Sequence, residues 1–101
     1  PASAAMRLLG AEAIPRLGEF QPQALGNTAW AFATLGISDS RLFEAIERES
    51  KQRIGSFSPQ DLINTAWAFG TLDVPAPQLF DAIARAQRAG GSAAVGGFAK
   101  P

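Results

Sequence analysis

"NTAWAFATLG" occupies Asn27–Gly36 and "NTAWAFGTLD" occupies Asn64–Asp73, 37 residues later. Working outward from these two stretches, Phe20 aligns with Phe57. "FQPQALGNTAWAFATLGISDSRLFEAIERE" then lies over "FSPQDLINTAWAFGTLDVPAPQLFDAIARA" without a gap. The matches fall in two blocks, F-x-P-Q-x-L-x-N-T-A-W-A-F-x-T-L and L-F-x-A-I-x-R. A period of this length is what a stacked helical repeat writes into a sequence.

One period earlier, Ala5-Met6-Arg7-Leu8-Leu9 falls on Leu42-Phe43-Glu44-Ala45-Ile46, and "PRLGEF" (15–20) falls on "QRIGSF" (52–57). The N-terminal segment therefore reads as the second half of an earlier copy. Its Ala, Ser and Arg bias also fits a transit peptide, but the alignment is the better account. One period later the pattern stops: "GGSAAVGGFAKP" (90–101) is rich in Gly and Ala and reads as a flexible tail. The expected organisation is a helical array over 1–89, with a partial repeat at 1–19 and repeats at 20–56 and 57–89, followed by the tail at 90–101.

Start and stop signals make each copy a helix pair. Ser58 stands at an N-cap, Pro59 at the first helical position and Asp61 three residues after the cap, a variant of the capping box. The first copy has Gln21 at the cap and keeps Pro22. Gly36 ends the first helix of the first copy, and Pro75 blocks continuation in the second. Second helices begin near Ser40 and Pro77, with Gly55 and Gly90 as stops. Helices are expected at about 22–35, 40–53, 59–72 and 77–88, with one more at about 3–14. The fold class is all-α, an α-solenoid of antiparallel helix pairs with a 37-residue repeat and no strand.

At about 100° per residue, Leu25, Ala29, Phe32, Ala33 and Leu35 gather on one side of the first helix, as do Leu62, Ala66, Phe69 and Leu72 in the second copy. Stacked copies bury one continuous apolar layer, so these positions recur because their neighbours recur. Ala29 and Ala66 are small where two helices must approach. On the opposite side, Gln23, Asn27 and Thr34 lie within roughly 40° of each other, as do Gln60, Asn64 and Thr71. Trp30 and Trp67 border this uncharged polar stripe. The second helix differs. Leu42, Phe43, Ile46, Ser50 and Arg53 share one side, and Glu44, Glu47, Arg48 and Lys51 form a solvated outer face with Glu44–Arg48 and Glu47–Lys51 spaced for ion pairs.

Composition excludes several functions. At 101 residues the chain is at most one small domain, about half apolar, with formal net charge zero. Zero charge argues against a strong free-standing nucleic-acid binder. With no Cys and no His, there is no thiolate chemistry and the commonest metal ligand and general base are missing. There is no Walker-type loop and no metal-spaced carboxylate set. Glu44, Glu47 and Glu49 lie on a charged helix face, not in an apolar pocket that would raise a pKa. No catalytic residue, metal or cofactor is expected, and no small-molecule substrate. The longest uncharged run, Phe20 to Ser38, is too polar for a membrane span.

The block P-Q-x-L-x-N-T-A-W-A-F-x-T-L followed by L-F-x-A-I resembles the octotricopeptide-type repeats and the related helical repeats found with FAST-kinase-like and RAP domains. The resemblance spans about Ala5 to Arg88. Its most specific part is Trp30–Gly36, and Asp73 stands where the second copy's glycine would fall. It implies an α-solenoid of mitochondria or chloroplasts acting in maturation, stability or translation of organelle RNA, with first helices lining the concave surface along which RNA lies.

The polar stripe then has a use. Asn and Gln can hydrogen-bond the Watson–Crick edges of single-stranded bases, so Gln23, Asn27, Thr34, Gln60, Asn64 and Thr71 are the candidate contacts with single-stranded RNA. Asn27 and Asn64 could instead bond a neighbouring loop or backbone. Trp30 and Trp67 could stack a base or fill the space between repeats. Arg48 and Arg85 recur and could touch phosphate, or pair with Glu44 and Asp81 on a solvated face. The alternative function is a protein-interaction solenoid without RNA contact, which suits zero net charge; a bare spacer is a third reading.

Overall fold

The computed structural model describes residues 2–90. Five α-helices follow one another: α1 Ala2–Ala13, α2 Pro22–Thr34, α3 Ser40–Gln52, α4 Pro59–Thr71 and α5 Pro77–Gly90. Two 3-10 turns, Ile14–Glu19 and Ile54–Ser56, lead into α2 and α4. No strand occurs among the described residues, so the fold is all-α. The tail expected at 90–101 lies, from residue 91, outside the described residues. No described helix is long and apolar enough to cross a membrane.

The caps follow from the side chains present. At α4 the Ser58 hydroxyl accepts from the Asp61 N–H while the Asp61 carboxylate accepts from the Ser58 N–H, each at 3.1 Å, which satisfies two of the orphan donors of the first turn. Gln21 makes no side-chain cap at α2, where Pro22 removes one donor instead. Asp39 caps α3, accepting from the Leu42 N–H at 3.3 Å.

The helix ends correct two expectations. After α2, Gly36 takes a left-handed φ of 71°, with Gly36 N–H donating to Ala33 O and Ile37 N–H to Phe32 O. This is the Schellman arrangement. The same bonds end α4, from Asp73 N–H to Gly70 O and from Val74 N–H to Phe69 O. The stop is therefore Asp73 at φ 58°, two residues ahead of Pro75. Gly55 is not the stop of α3: the helix already ends at Gln52 and Gly55 sits within the following 3-10 turn.

Asp73 bears left-handed strain that a glycine would not. Asp73→Gly is expected to stabilise the chain by about 0.5 kcal/mol, after offsetting the glycine's greater unfolded-state entropy, and so to raise the melting temperature by about 2–4 °C. Gly36→Ala, where an added Cβ meets nothing within 4 Å, is expected to cost about 1 kcal/mol through the backbone alone. Thermal melts followed by circular dichroism check both, and a destabilised Asp73→Gly would mean that the carboxylate itself holds the turn.

The core joins α2, α3, α4 and α5. Leu25, Ala29, Phe32, Ala33, Leu42, Phe43, Ile46, Leu62, Ala66, Phe69, Leu79 and Ile83 are all buried in one cluster, and the Phe43 and Phe69 rings meet edge to face with centroids 4.9 Å apart. Leu35 departs from its expected inward position and is 54% exposed. It is the C-cap residue, where the chain has already turned away from the apolar face; Leu72, its counterpart, is half-buried against the core.

α2 and α4 make the most extensive helix–helix contact. Gly26 allows it: a Cβ there would stand 3.2 Å from Thr65 Oγ1 and 3.3 Å from the Asp61 carbonyl oxygen. Ala29 and Ala66 are buried as the small-residue reading requires. Between α3 and the turn before α2, the Arg53 guanidinium donates to the carbonyls of Phe20 at 2.6 Å and Leu17 at 3.1 Å. It also lies 3.5 Å from the Glu49 carboxylate.

Candidate functional site

α2 and α4 lie side by side, and each begins at the proline of its copy, Pro22 and Pro59. The polar stripe is thereby doubled. Gln23, Asn27 and Thr34 on α2 are exposed, as are Gln60 and Thr71 on α4, while Asn64 is half-buried. Gln60 Nε2 donates to Asn64 Oδ1 at 3.0 Å, the two sitting one turn apart on α4. That bond orients the Asn64 amide and leaves its NH₂ group to donate. Neither asparagine bonds a loop or the backbone among the hydrogen bonds of the described residues, so the loop-anchoring role is not what the structure displays.

The tryptophans lie at the stripe's border. Their ring centroids are 6.2 Å apart with planes inclined by 33°. Trp30 is 46% exposed, and Trp67 is half-buried against the core. The reading of both as fillers between copies therefore holds only for part of Trp67. Trp30 presents nearly half its surface to solvent, held by Trp67 on one side. Such a pair is an apolar platform beside hydrogen-bonding amides.

The platform carries no charge. α2 has no Asp, Glu, Lys or Arg, and the only charged residue of α4 is Asp61, which is buried in its capping box. The ionic groups lie on the other helices. Glu47 pairs with Lys51 at 3.8 Å and Asp81 with exposed Arg85 at 2.9 Å; Lys51 also donates to Gln78 at 2.8 Å. Glu44–Arg48 is not among the ion pairs of the described residues, and Arg53 pairs with Glu49 instead. Arg85 pairs with Asp81 on a solvated face, as one of its two readings had it. Among the described residues no three carboxylates gather as a metal site would need.

Two recurrent residues were missed by the sequence reading. Thr28 Oγ1 donates to the Ala24 carbonyl at 2.7 Å and Thr65 Oγ1 to the Asp61 carbonyl at 2.8 Å. This is the back-bonding by which a threonine buries its hydroxyl within a helix. Thr65 is fully buried against α2, whereas Thr28 is half-exposed. The signal was present in the repeated N-T dipeptide. Arg53, grouped with Leu42 and Ile46 on the wheel, carried a signal too: a cation on an apolar side needs partners.

No protein-family model matches the chain, and neither the curated proteins nor the solved structures compared with it yield a match.

Proposed function

We propose that the chain is part of an α-solenoid of 37-residue helix pairs that binds single-stranded RNA along its first helices. In this reading Gln23, Asn27, Thr34, Gln60, Asn64 and Thr71 face the bases, and Trp30 offers a stacking surface. The observation that carries it is the paired, uncharged polar stripe of α2 and α4 with an exposed tryptophan at its edge. Packing does not require amides there. The resemblance of P-Q-x-L-x-N-T-A-W-A-F-x-T-L to octotricopeptide-type repeats adds the organellar setting, mitochondrion or chloroplast, and the roles in RNA processing, stability or translation.

The same face favours a second reading. Interfaces between proteins are depleted in charge at their centre and enriched in tryptophan. A platform without one Lys or Arg lacks the phosphate term that usually dominates nucleic-acid affinity. A protein partner on the same surface is therefore the alternative, and the chain alone is expected to bind RNA weakly.

The test uses the chain within a longer array. Asn27→Ala with Asn64→Ala is expected to leave the melting temperature unchanged and to alter base preference at two adjacent positions of a randomised RNA pool. Trp30→Ala is expected to weaken binding by about 1–3 kcal/mol. Unaltered base preference together with a lowered melting temperature would make the asparagines structural and move the assignment to a protein partner.

A further inference from the structure

We infer that the open side of α1 and α2 is a seat for one more α-helix of the α2 type, supplied by a further copy of the 37-residue pattern ahead of α1. The inference rests on the stacked-repeat reading above and is independent of RNA.

Two surfaces argue for it separately. The first is on α2. α4 meets α2 at Gly26 through Thr65 and the Asp61 carbonyl, and Asp61, Thr65 and, a turn further on, Ala68 are all buried. The residues of α2 that stand 37 places earlier are Ala24, Thr28 and Ala31, and all three are only half-buried. Thr28 makes the same back-bond as Thr65. α2 thus presents the side by which α4 receives a helix, with no helix seated on it among the described residues.

The second surface is on α1. Leu8 and Leu9 stand 37 places before Ala45 and Ile46. In α3, on which α2, the turn before it and α5 all pack, those residues are 3% and 0% exposed; α1 already has α3 in the place of α5. In α1 the leucines are 70% and 62% exposed. Two adjacent exposed leucines cost solubility, and what would cover them is the counterpart of α2. Leu9 and Met6 of α1 form a groove with Thr28 and Ala31 of α2. Part of each uncovered surface therefore lines one groove between α1 and α2.

The geometry also selects the occupant. The α2–α4 approach needs a residue without a side chain at position 26, so the incoming helix must carry Gly, or at most Ala, at the matching place. α4 has Ile63 there, so α4 of a second chain stacked head to tail would be held off by its own side chain. α2 of a second chain already has that side covered. Arg16 supplies a third contact. It is exposed and stands 37 places before Arg53, whose guanidinium binds the carbonyls of the turn that precedes α2. Arg16 would bind the same two carbonyls ahead of the incoming helix. Asn27 would then take the half-buried position of Asn64, and the polar stripe would lengthen by one helix.

The experiment joins residues 20–39 directly ahead of Ser3, which lies 37 residues before Ser40 and so keeps the period. The extended chain is expected to gain helical ellipticity and to melt about 5 °C or more above the original. Leu8→Lys with Leu9→Lys should leave the original chain's melting temperature nearly unchanged and abolish the gain in the extended one. Leucine at the copied Gly26 of the added segment should abolish it as well. No gain, or a gain that survives both changes, overturns the seat. Gly26→Leu in the original chain separates the two levels: if it does not lower the melting temperature, the stacking reading itself fails. If it does and the extended chain still gains nothing, only the seat fails.

Discussion

Replacing Phe69 by alanine is expected to cost about 3–5 kcal/mol and to consume much of the chain's stability, which for a chain of this size is about 5–15 kcal/mol. Phe69 is fully buried at the centre of the core. Its ring meets Phe43 edge to face at 4.9 Å, and its carbonyl accepts the Val74 N–H that closes the end of α4. Truncation loses the transfer energy of the ring, opens a cavity that helices on both sides cannot collapse into, and leaves Phe43 without its aromatic partner. Phe32→Ala is expected to cost less, toward the lower end of the range. Its ring lines the groove between α1 and α2, where neighbours have room to relax. Urea unfolding of the two variants checks this, and equal losses, or an unchanged midpoint for Phe69→Ala, would show that the core is not centred where the burial places it.

The second large effect is expected at Arg53. Its guanidinium joins the end of α3 to the turn before α2 through two carbonyls of that turn. The side chain is 28% exposed, so these charge-assisted bonds are only partly screened. Arg53→Ala leaves the Phe20 carbonyl without its donor in a half-buried place, while the Leu17 carbonyl keeps the Phe20 N–H, and is expected to cost about 2 kcal/mol. Arg53→Lys retains the charge but offers a point donor instead of a fork, and should recover about half of that loss. Glu49→Gln, which removes only the ion pair at 3.5 Å, should cost well under 1 kcal/mol. Full rescue by lysine would show that charge, not the forked geometry, holds the two elements together.

Much of the helix layout was legible in the sequence, because its causes are local. Ser58 and Asp61 satisfy each other's backbone donors whatever the rest of the chain does, and Gly36 alone can take the left-handed turn without strain. The apolar spacing that places Leu25, Ala29 and Phe32 inside depends only on the helical period. The 37-residue offset added a relation between distant segments, since two stretches under the same packing demand keep the same residues. The members of the polar stripe were read from that recurrence.

What the period could not convey is how far the two copies differ in their surroundings. Thr28 and Thr65 are the same letter in the same motif, yet one is half-exposed and the other fully buried, because α2 covers α4 and nothing described covers that side of α2. Trp30 and Trp67 part in the same way. Leu35 sits one residue beyond the helix, where the wheel no longer applies. Arg53 shares a wheel side with Leu42 and Ile46, but only the tertiary structure brings the Phe20 and Leu17 carbonyls to it across more than 30 residues of chain. Gly26 against Ile63 is the sharpest case: the difference has no meaning in the helix that carries it, and matters only when α4 is laid on α2, where a Cβ at position 26 would stand 3.2 Å from Thr65 Oγ1. Burial, reach and clearance belong to pairs of elements, so they enter only when the elements are brought together.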